Sequence, residues 1–295
     1  IGWFIEGILP LLPFGKEPLT IHFTGVTDGT CEQDPSVDYW QATALPLLAK
    51  FGVGSEKAVD FLAPDGPSIK IHQRAAMPYG QHGRVTVHCP AVRAMLQAVD
   101  WTDAGKFKRI RGQAISCKLT SSSAAARVAY AGKGVLHRLI PDVWIYTSVN
   151  TAKNHKCGPS PSLSLILTAE STTAARLSAE VTLQHQGDSS TQQGRRETPE
   201  DLGRRGSAML LHEIAQGGVV DTTAQTVALL WMCLAPEDDV SRIRIGTLSA
   251  YSIAALRLYK AALGVECKIK PDIDTKTVII SCVGVGYRNM ARAST

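Results

Sequence analysis

A run of basic residues near the middle of the chain carries the clearest chemistry in the sequence. Four cations, Lys106, Lys108, Arg109 and Arg111, fall within six residues. In an extended strand, alternation of side chains puts the two lysines on one face and the two arginines on the other. Neither face can then lie in a dry core without charged partners. The run therefore indicates either contacts to a polyanion such as RNA, or a solvated edge strand that uses lysine against aggregation.

Established catalytic and metal-binding motifs are absent from the sequence. The turn at residues 80–83 lacks the lysine and hydroxyl pair of a phosphate-binding loop, and no Gly-x-Ser-x-Gly elbow occurs. His82 in that turn has the chemistry of a general acid or base, although a histidine in a turn is more often simply polar and exposed. His88-Cys89 and residues 155–157 come nearest to metal-ligand spacing, but neither has a second pair nearby, so we predict no metal site.

Length, charge and cysteine content favour a globular protein that keeps its thiols reduced. The chain has 295 residues, which predicts about two domains, and a formal net charge of +5, which permits nucleic-acid binding without requiring it. Its seven scattered cysteines predict free thiols in a cytosolic or nuclear setting rather than a disulfide framework. The apolar opening at 1–14 is too short to span a bilayer and lacks the basic start of a signal peptide, so we expect no membrane association.

The elements that must position the basic run form a repeated unit. A strand, a helix and two further strands follow one another in the first third of the chain, and the same order returns at the end. The first set is predicted at 19–23, 36–51, 68–73 and 84–89, and the second at 240–245, 249–263, 265–270 and 275–282. Repetition of a whole unit constrains the fold strongly. We predict an α+β protein in which each unit packs helices on one face of a small mixed sheet.

The segment between the two units differs from them in composition. It contains a helix that begins after three serines and ends at Pro141, three predicted strands, and a polar tract at 184–197 that we expect to be mobile. We therefore predict a core formed by 1–112 and 197–295, with a small α/β domain inserted at 113–196. Helices that begin at Thr198 and near Asp221 are expected to pack on the opening helix of the chain.

A second basic pair lies where the chain leaves the predicted insertion. Arg204 and Arg205 follow its end, and the basic run at 106–111 precedes its start. The entry and exit of an inserted domain come together in space. We therefore predict that the six cations form one patch that contacts RNA or another polyanion through phosphate groups, and we favour this interpretation over simple solvation.

Six short motifs, spread over nearly the whole chain, resemble those of a known family. They lie at 25–27, 34–38, 108–112, 199–204, 217–221 and 282–286. In these motifs and their order the chain resembles the RNA 3'-terminal phosphate cyclase superfamily, and most of all its eukaryotic cyclase-like branch. The resemblance implies a fold of repeated α/β units with one inserted small domain. It also implies that the first unit of the family precedes Ile1.

The position of the family's nucleophile determines which activity the resemblance implies. True cyclases use a histidine that takes AMP covalently, and an ungapped match of residues 240–246 puts Tyr251 at that position. None of the eight histidines lies beyond His212, and the family's Asp-Gln pair falls on Thr226 and Val227. A phenol lacks the basicity of imidazole at neutral pH. We therefore predict that the nucleotidyl chemistry is lost, with no catalytic residue and no cofactor.

The resemblance leaves three functions open. The first, which we favour, is a non-catalytic assembly factor in early small-subunit (18S) pre-rRNA processing. Such a factor binds a large nucleolar GTPase and acts with pre-rRNA and a small nucleolar RNA in the nucleus and nucleolus. The second is an endoribonuclease that cleaves pre-rRNA, which needs an acid, a base and a cation near the scissile phosphate. The third is a working cyclase, which the tyrosine at position 251 argues against.

Overall fold

The computed structural model describes residues 1–29, 34–53, 66–89, 95–119, 121–151, 156–183 and 197–289. Apart from Glu197, the tract predicted to be mobile lies outside these ranges. The helices are α1 (Gly2–Ile8), α2 (Val37–Lys50), α3 (Ala124–Leu136), α4 (Pro199–Gln216), α5 (Gln225–Leu234) and α6 (Ala250–Leu263). The strands are β1 (Leu19–Thr24), β2 (Ser68–Gln73), β3 (Arg84–Cys89), β4 (Asp100–Trp101), β5 (Phe107–Cys117), β6 (Val143–Asn150), β7 (Ser162–Ser171), β8 (Arg176–Thr182), β9 (Val240–Ile245), β10 (Lys268–Asp272) and β11 (Thr277–Val283).

The first unit is a three-stranded antiparallel sheet that packs with one long helix. The strands are ordered β1-β3-β2. Helix α2 begins after Ser36, whose hydroxyl accepts a hydrogen bond from the backbone N–H of Tyr39 at 3.0 Å, which satisfies one of the free amides of the first turn. Trp40, Leu48 and Phe51 are almost fully buried and belong to the main hydrophobic core of the chain.

The last unit repeats this arrangement. Its strands are ordered β9-β11-β10, which matches β1-β3-β2 in the first unit, and β4 is added parallel to β9 at the outer edge. Helix α6 lies between the first and second strands of this unit in sequence and ends at Gly264, whose φ of 71° is the left-handed conformation that glycine adopts at low cost. The mixed α/β architecture and the repeat predicted from the sequence are confirmed.

The inserted unit is a four-stranded sheet between helices. Its order is β6-β5-β7-β8, with β5 and β6 parallel and the other pairs antiparallel. Helices α3 and α4 pack on one face around a second hydrophobic core, and α2 of the first unit packs against β7 and β8. That second core includes Ile110 on β5 and Leu202 and Leu210 on α4. The packing of the unit therefore extends beyond the predicted bounds of 113 and 196 at both ends.

Helix α4 packs differently from our expectation. We predicted that it joins the opening helix, but it lies against α3 and the inserted sheet, while α5 packs on the 3-10 helix Leu9–Phe14 that follows α1. Gly203 explains the close crossing of α4 and α3, because a Cβ at that position would lie 2.4 Å from the carbonyl oxygen of Val128. None of the described helices combines the length and apolarity needed to cross a bilayer.

Candidate functional site

Tyr251 lies on the surface of the last unit. It occupies the first turn of α6 and is 62% exposed. Ser249 caps this turn, because its hydroxyl accepts a hydrogen bond from the backbone N–H of Ser252 at 3.0 Å. The phenol of Tyr251 neighbours the carboxylate of Glu6 on α1. The residue that we matched from the sequence to the nucleophile of the family is therefore an exposed tyrosine next to a carboxylate.

Glu6 on α1 lies beside residues of α5 and α6. Its Oε1 accepts a hydrogen bond from the hydroxyl of Thr226 on α5 at 3.1 Å. Burial raises the pKa of Glu6, and the hydrogen bond from Thr226 and the nearby phenol of Tyr251 oppose this effect. Desolvation and the neighbouring Glu6 raise the pKa of Tyr251 above its ordinary value of 10.0. Because a protonated phenol is a weak nucleophile, these surroundings disfavour Tyr251 as an attacking group.

The two positions that we matched from the sequence to the family's Asp-Gln pair, Thr226 and Val227, are buried. Val227 is buried in the main core, and the backbone carbonyl of Thr226 accepts a hydrogen bond from the hydroxyl of Tyr259 at 3.1 Å. The preceding residue, Gln225, joins α5 to α6: its Oε1 accepts from the hydroxyl of Ser252 at 2.8 Å. Thr226 and Gln225 are themselves buried, so the polar groups of α5 at these positions join helices to one another and do not face solvent.

The basic run lies at the start of β5, where the register contains a β-bulge. Phe107 pairs with Ser171 and Arg109 pairs with Glu170, so that Lys108 is the extra residue on β5. The Nζ of Lys108 and the Nη2 of Arg109 lie 3.2 Å and 2.7 Å from the carboxylate of Glu170. Strict alternation would put these two cations on opposite faces, and the bulge shows that this part of our prediction is wrong.

The other two cations of the run differ in their environment. Arg111 binds Asp142 through two hydrogen bonds of 2.8 Å and 2.9 Å, and Ile110 on the other face of β5 is fully buried. Arg109 and Arg111 thus share a face, as predicted. Lys106 is exposed, and its backbone N–H donates to the hydroxyl of Thr172 at 3.2 Å.

The two arginines of α4 lie on the helical side of the inserted unit. Arg204 donates a hydrogen bond of 3.1 Å to Asp201 one turn before it. Arg205 donates to Glu197 at 2.8 Å and to the backbone carbonyl of Thr182 on β8 at 3.2 Å. Both arginines are therefore paired with an acid at the beginning of the helix.

The predicted patch consists of two separate groups of cations. Thr182, which contacts Arg205, pairs with Ser164 on β7, whereas Arg109 binds Glu170 six residues further along the same strand. At a rise of about 3.3 Å per residue, these two places on β7 are about 20 Å apart. We call Lys106, Lys108, Arg109 and Arg111 the strand group, and Arg204 and Arg205 the helix group. Anion binding by either group remains a prediction.

A buried polar cluster, which the sequence did not reveal, joins the first unit to the inserted sheet. Arg74, directly after β2, donates hydrogen bonds of 2.6 Å and 2.7 Å to the two carboxylate oxygens of Asp38 on α2. Glu180 on β8 accepts hydrogen bonds from the backbone N–H of Ser36 at 2.7 Å and from the hydroxyl of the same residue. Burial raises the pKa of Glu180 to about 7.

A second buried carboxylate next to this cluster, that of Asp221, also joins neighbouring elements. Asp221, just before α5, accepts hydrogen bonds from the hydroxyl of Tyr39 and from the backbone N–H groups of Ser178 and Ala224, each of these two at 3.0 Å. Burial raises the pKa of Asp221 to about 7. Its contacts fix α2, β8 and the start of α5 against one another.

The residue types in this cluster are those that a nuclease requires, but the cavity beside them is too small for an RNA substrate. Asp28, Ser36, Asp38 and Glu180 line a cavity of about 10 Å³. That volume holds at most a single water molecule, so a phosphodiester has no access to these carboxylates. Ser36 and Glu180 are separated by 144 positions in the chain, and no spacing in the sequence indicates their contact.

Comparisons with known proteins agree with this architecture. The family model described as RNA 3'-terminal phosphate cyclase matches residues 1–269. The chain is 41% identical over 299 residues to the RNA 3'-terminal phosphate cyclase-like protein of Homo sapiens, covering 99% of this chain and 74% of that protein. It is 40% identical over 300 residues to the probable RNA 3'-terminal phosphate cyclase-like protein of Dictyostelium discoideum, and the match covers 100% of this chain and 76% of that protein. It is 36% identical over 295 residues to the rRNA processing protein rcl1 of Schizosaccharomyces pombe, and the match covers 99% of this chain and 74% of that protein. The chain therefore belongs to the RNA 3'-terminal phosphate cyclase family.

Proposed function

We propose that this protein is a non-catalytic factor of rRNA processing that acts in early assembly of the small ribosomal subunit. The proposal rests on Tyr251, an exposed tyrosine with a raised pKa that we matched from the sequence to the family's nucleophile. The similarity to a protein named for rRNA processing in Schizosaccharomyces pombe, and to relatives named cyclase-like, supports the same function.

The chemistry around Tyr251 argues against nucleotidyl transfer. A phenol with a pKa above 10 is ionised to less than about 0.1% at pH 7. Burial raises the pKa of the neighbouring Glu6, but its Oε1 already accepts a hydrogen bond from the hydroxyl of Thr226 at 3.1 Å. This position is therefore poorly suited to forming a covalent adenylate.

The described residues do not support endoribonuclease activity. The carboxylates and the guanidinium of the junction, Asp38, Glu180 and Arg74, are buried and saturate one another or Ser36 with hydrogen bonds. Arg109 and Arg111 on the surface are paired with Glu170 and Asp142, and the lowered pKa values of these two carboxylates make them weak bases. We therefore favour the assembly factor over the nuclease.

The proposed partners are a large nucleolar GTPase, pre-rRNA and a small nucleolar RNA, and the proposed location is the nucleolus within the nucleus. The edge of the inserted sheet supports a protein partner. Strand β6 has no neighbour on one side among the described strands, and it exposes 56% of Trp144 and 62% of Tyr146 on one face. Exposed aromatic residues at such a position are typical of binding hot spots.

Binding and cleavage assays with the purified protein test this function. We expect the GTPase to bind with a Kd of about 1–100 nM, and we expect substitution of Trp144 and Tyr146 by alanine to weaken binding at least about tenfold. The matched control is Tyr130→Ala, which removes an aromatic residue exposed on α3. We expect no cleavage of a pre-rRNA fragment. Cleavage with turnover, abolished by one substitution in the chain, would overturn the proposal.

A further inference from the structure

Three cysteines that are far apart in the sequence meet in the last unit. The sulfur atoms of Cys233, Cys267 and Cys282 all lie within 4.8 Å of one another. Cys233 and Cys282 are buried, and Cys267 is half-buried. All three are free thiols. The cluster lies in the last unit, and none of its members was a candidate ligand in the sequence.

The secondary structure of the unit fixes this juxtaposition. In the antiparallel register of β10 and β11, Lys268 is opposite Ser281, and continuation by one residue puts Cys267 beside Cys282. Cys233 lies near the end of α5, which packs on the sheet face to which Cys282 points. The backbone carbonyl of Cys233 accepts a hydrogen bond of 2.8 Å from the N–H of Val285, just after β11, and so holds the helix end beside the strand.

The spacing of the three sulfur atoms matches a thiolate metal site better than a disulfide. With zinc–sulfur bonds of about 2.3 Å, tetrahedral coordination puts sulfur atoms about 3.8 Å apart, so a contraction of about 1 Å or less brings three thiolates to one ion. A disulfide requires about 2.05 Å between two sulfur atoms and leaves the third cysteine unpaired. All three pairs of sulfur atoms lie within the same limit of 4.8 Å, which favours a common ligand for the three thiols.

We propose that Cys233, Cys267 and Cys282 form a three-thiolate site for a soft cation, with zinc as its occupant. Thiolate ligands select zinc and monovalent copper over magnesium or calcium. Binding of Zn²⁺ to three thiols forms three zinc–sulfur bonds and releases three protons to solvent. The half-buried Cys267 gives the ion a path from solvent and leaves the fourth coordination position toward water.

Such a site joins α5 to the two last strands of the sheet. Because the ligands come from three separate elements, the ion binds the folded unit and not the unfolded chain, and it therefore stabilises the fold. This role is independent of the proposed function in rRNA processing.

Metal titration of the full chain tests the proposal. The reduced protein is stripped of metal with a chelator and titrated with Co²⁺, which gives sulfur-to-cobalt charge-transfer bands in the near ultraviolet, and then with Zn²⁺ as a competitor. We expect about one equivalent of cobalt per chain and its displacement by zinc. We expect Cys267→Ser to lose the charge-transfer bands and the zinc-dependent rise in Tm. Cys89→Ser, which changes a buried thiol of β3, is the matched control and keeps both.

Three results would overturn the site. The first is the absence of a cobalt–thiolate band in the reduced wild-type chain with native circular dichroism. The second is equal metal affinity in the wild type and in Cys267→Ser. The third is a disulfide among these cysteines, found by alkylation and mass spectrometry in the freshly isolated protein without bound metal. Cys267→Ala provides a second variant if serine disturbs folding at this half-buried position.

Discussion

The carboxylate of Glu6 on α1 accepts a hydrogen bond of 3.1 Å from the hydroxyl of Thr226 on α5. The phenol of Tyr251 on α6, the residue that we matched from the sequence to the family's nucleophile, neighbours the same carboxylate. Residues of three helices thus lie together at Glu6, and we infer a structural role for this tyrosine.

Substitution of Tyr251 by phenylalanine removes only the hydroxyl that lies next to Glu6. We expect the free energy of unfolding in urea to fall by about 0.5–1 kcal/mol, because one polar contact of a largely exposed side chain is lost. We expect pre-rRNA processing in cells that depend on the variant to stay normal.

The matched control for this variant is Tyr39→Phe. Tyr39 is fully buried and donates its hydroxyl to the carboxylate of Asp221, so we expect a larger loss of about 1.5–3 kcal/mol. A processing defect in Tyr251→Phe together with unchanged stability would contradict the structural role of this tyrosine.

The ion pair between Arg74 and Asp38 is the strongest charged contact of the junction. Arg74→Met leaves the Asp38 carboxylate buried without its two hydrogen bonds, and we expect a loss of about 3–5 kcal/mol in the free energy of unfolding. Arg127→Met is the control, since Arg127 binds Glu200 on the surface with similar geometry. We expect almost no change there, because solvent screens an exposed pair. Equal effects in the two variants would show that burial does not strengthen the junction.

Stability should fall with rising pH because of Glu180. Its pKa is raised from 4.5 to about 7 in the folded protein, so the native state keeps a proton that the unfolded chain has released. The resulting stabilisation is complete below pH 4.5 and is lost as the pH rises to about 7. Glu180→Gln stays neutral, so between pH 5 and 8 the wild type should lose on the order of 3 kcal/mol more than this variant. Urea unfolding at both pH values measures the difference, and parallel profiles would show that Glu180 is not the responsible group.

The two groups of cations should make separable contributions to RNA binding. We expect Arg109→Glu with Arg111→Glu to weaken association with pre-rRNA and to reduce the slope of log K against log salt by about 2. We expect Arg204→Glu with Arg205→Glu to act independently, because the helix group lies about 20 Å from the strand group along β7.

Arg257→Glu is the control for charge reversal, because Arg257 is exposed on α6 of the last unit, and circular dichroism confirms folding of each variant. Reversal in the strand group leaves Glu170 and Asp142 facing like charges, so a modest loss of stability is expected there. Unchanged RNA affinity of the strand-group variant across a salt series would show that the strand group does not contribute to RNA binding.

The elements that the sequence predicted best are those with local signals. Alternation of apolar residues predicted β1 and β9, a capping threonine with a following proline predicted α4, and Gly264 predicted the end of α6. The repeat of strand, helix and two strands followed from these elements. Local signals are sufficient because helix ends and strand faces depend on neighbouring residues.

The features that the sequence did not predict depend on contacts between distant residues. The bulge at Lys108 depends on the pairing of β5 with β7, and no residue near Lys108 marks it. Glu180 finds Ser36 only when the inserted sheet packs on α2. Cys233 and Cys267 show no ligand spacing in the sequence, because their meeting depends on the register of the last sheet.

The central claim is that the chain forms no covalent nucleotide adduct, and labelling with ATP tests it most directly. The purified protein is incubated with ATP labelled at the α-phosphate and magnesium, denatured, and separated on a gel beside an active cyclase of the family. We predict that the active cyclase retains the label and that this chain retains none. Label that survives denaturation, maps to one peptide of this chain and is lost on substitution there would contradict the account.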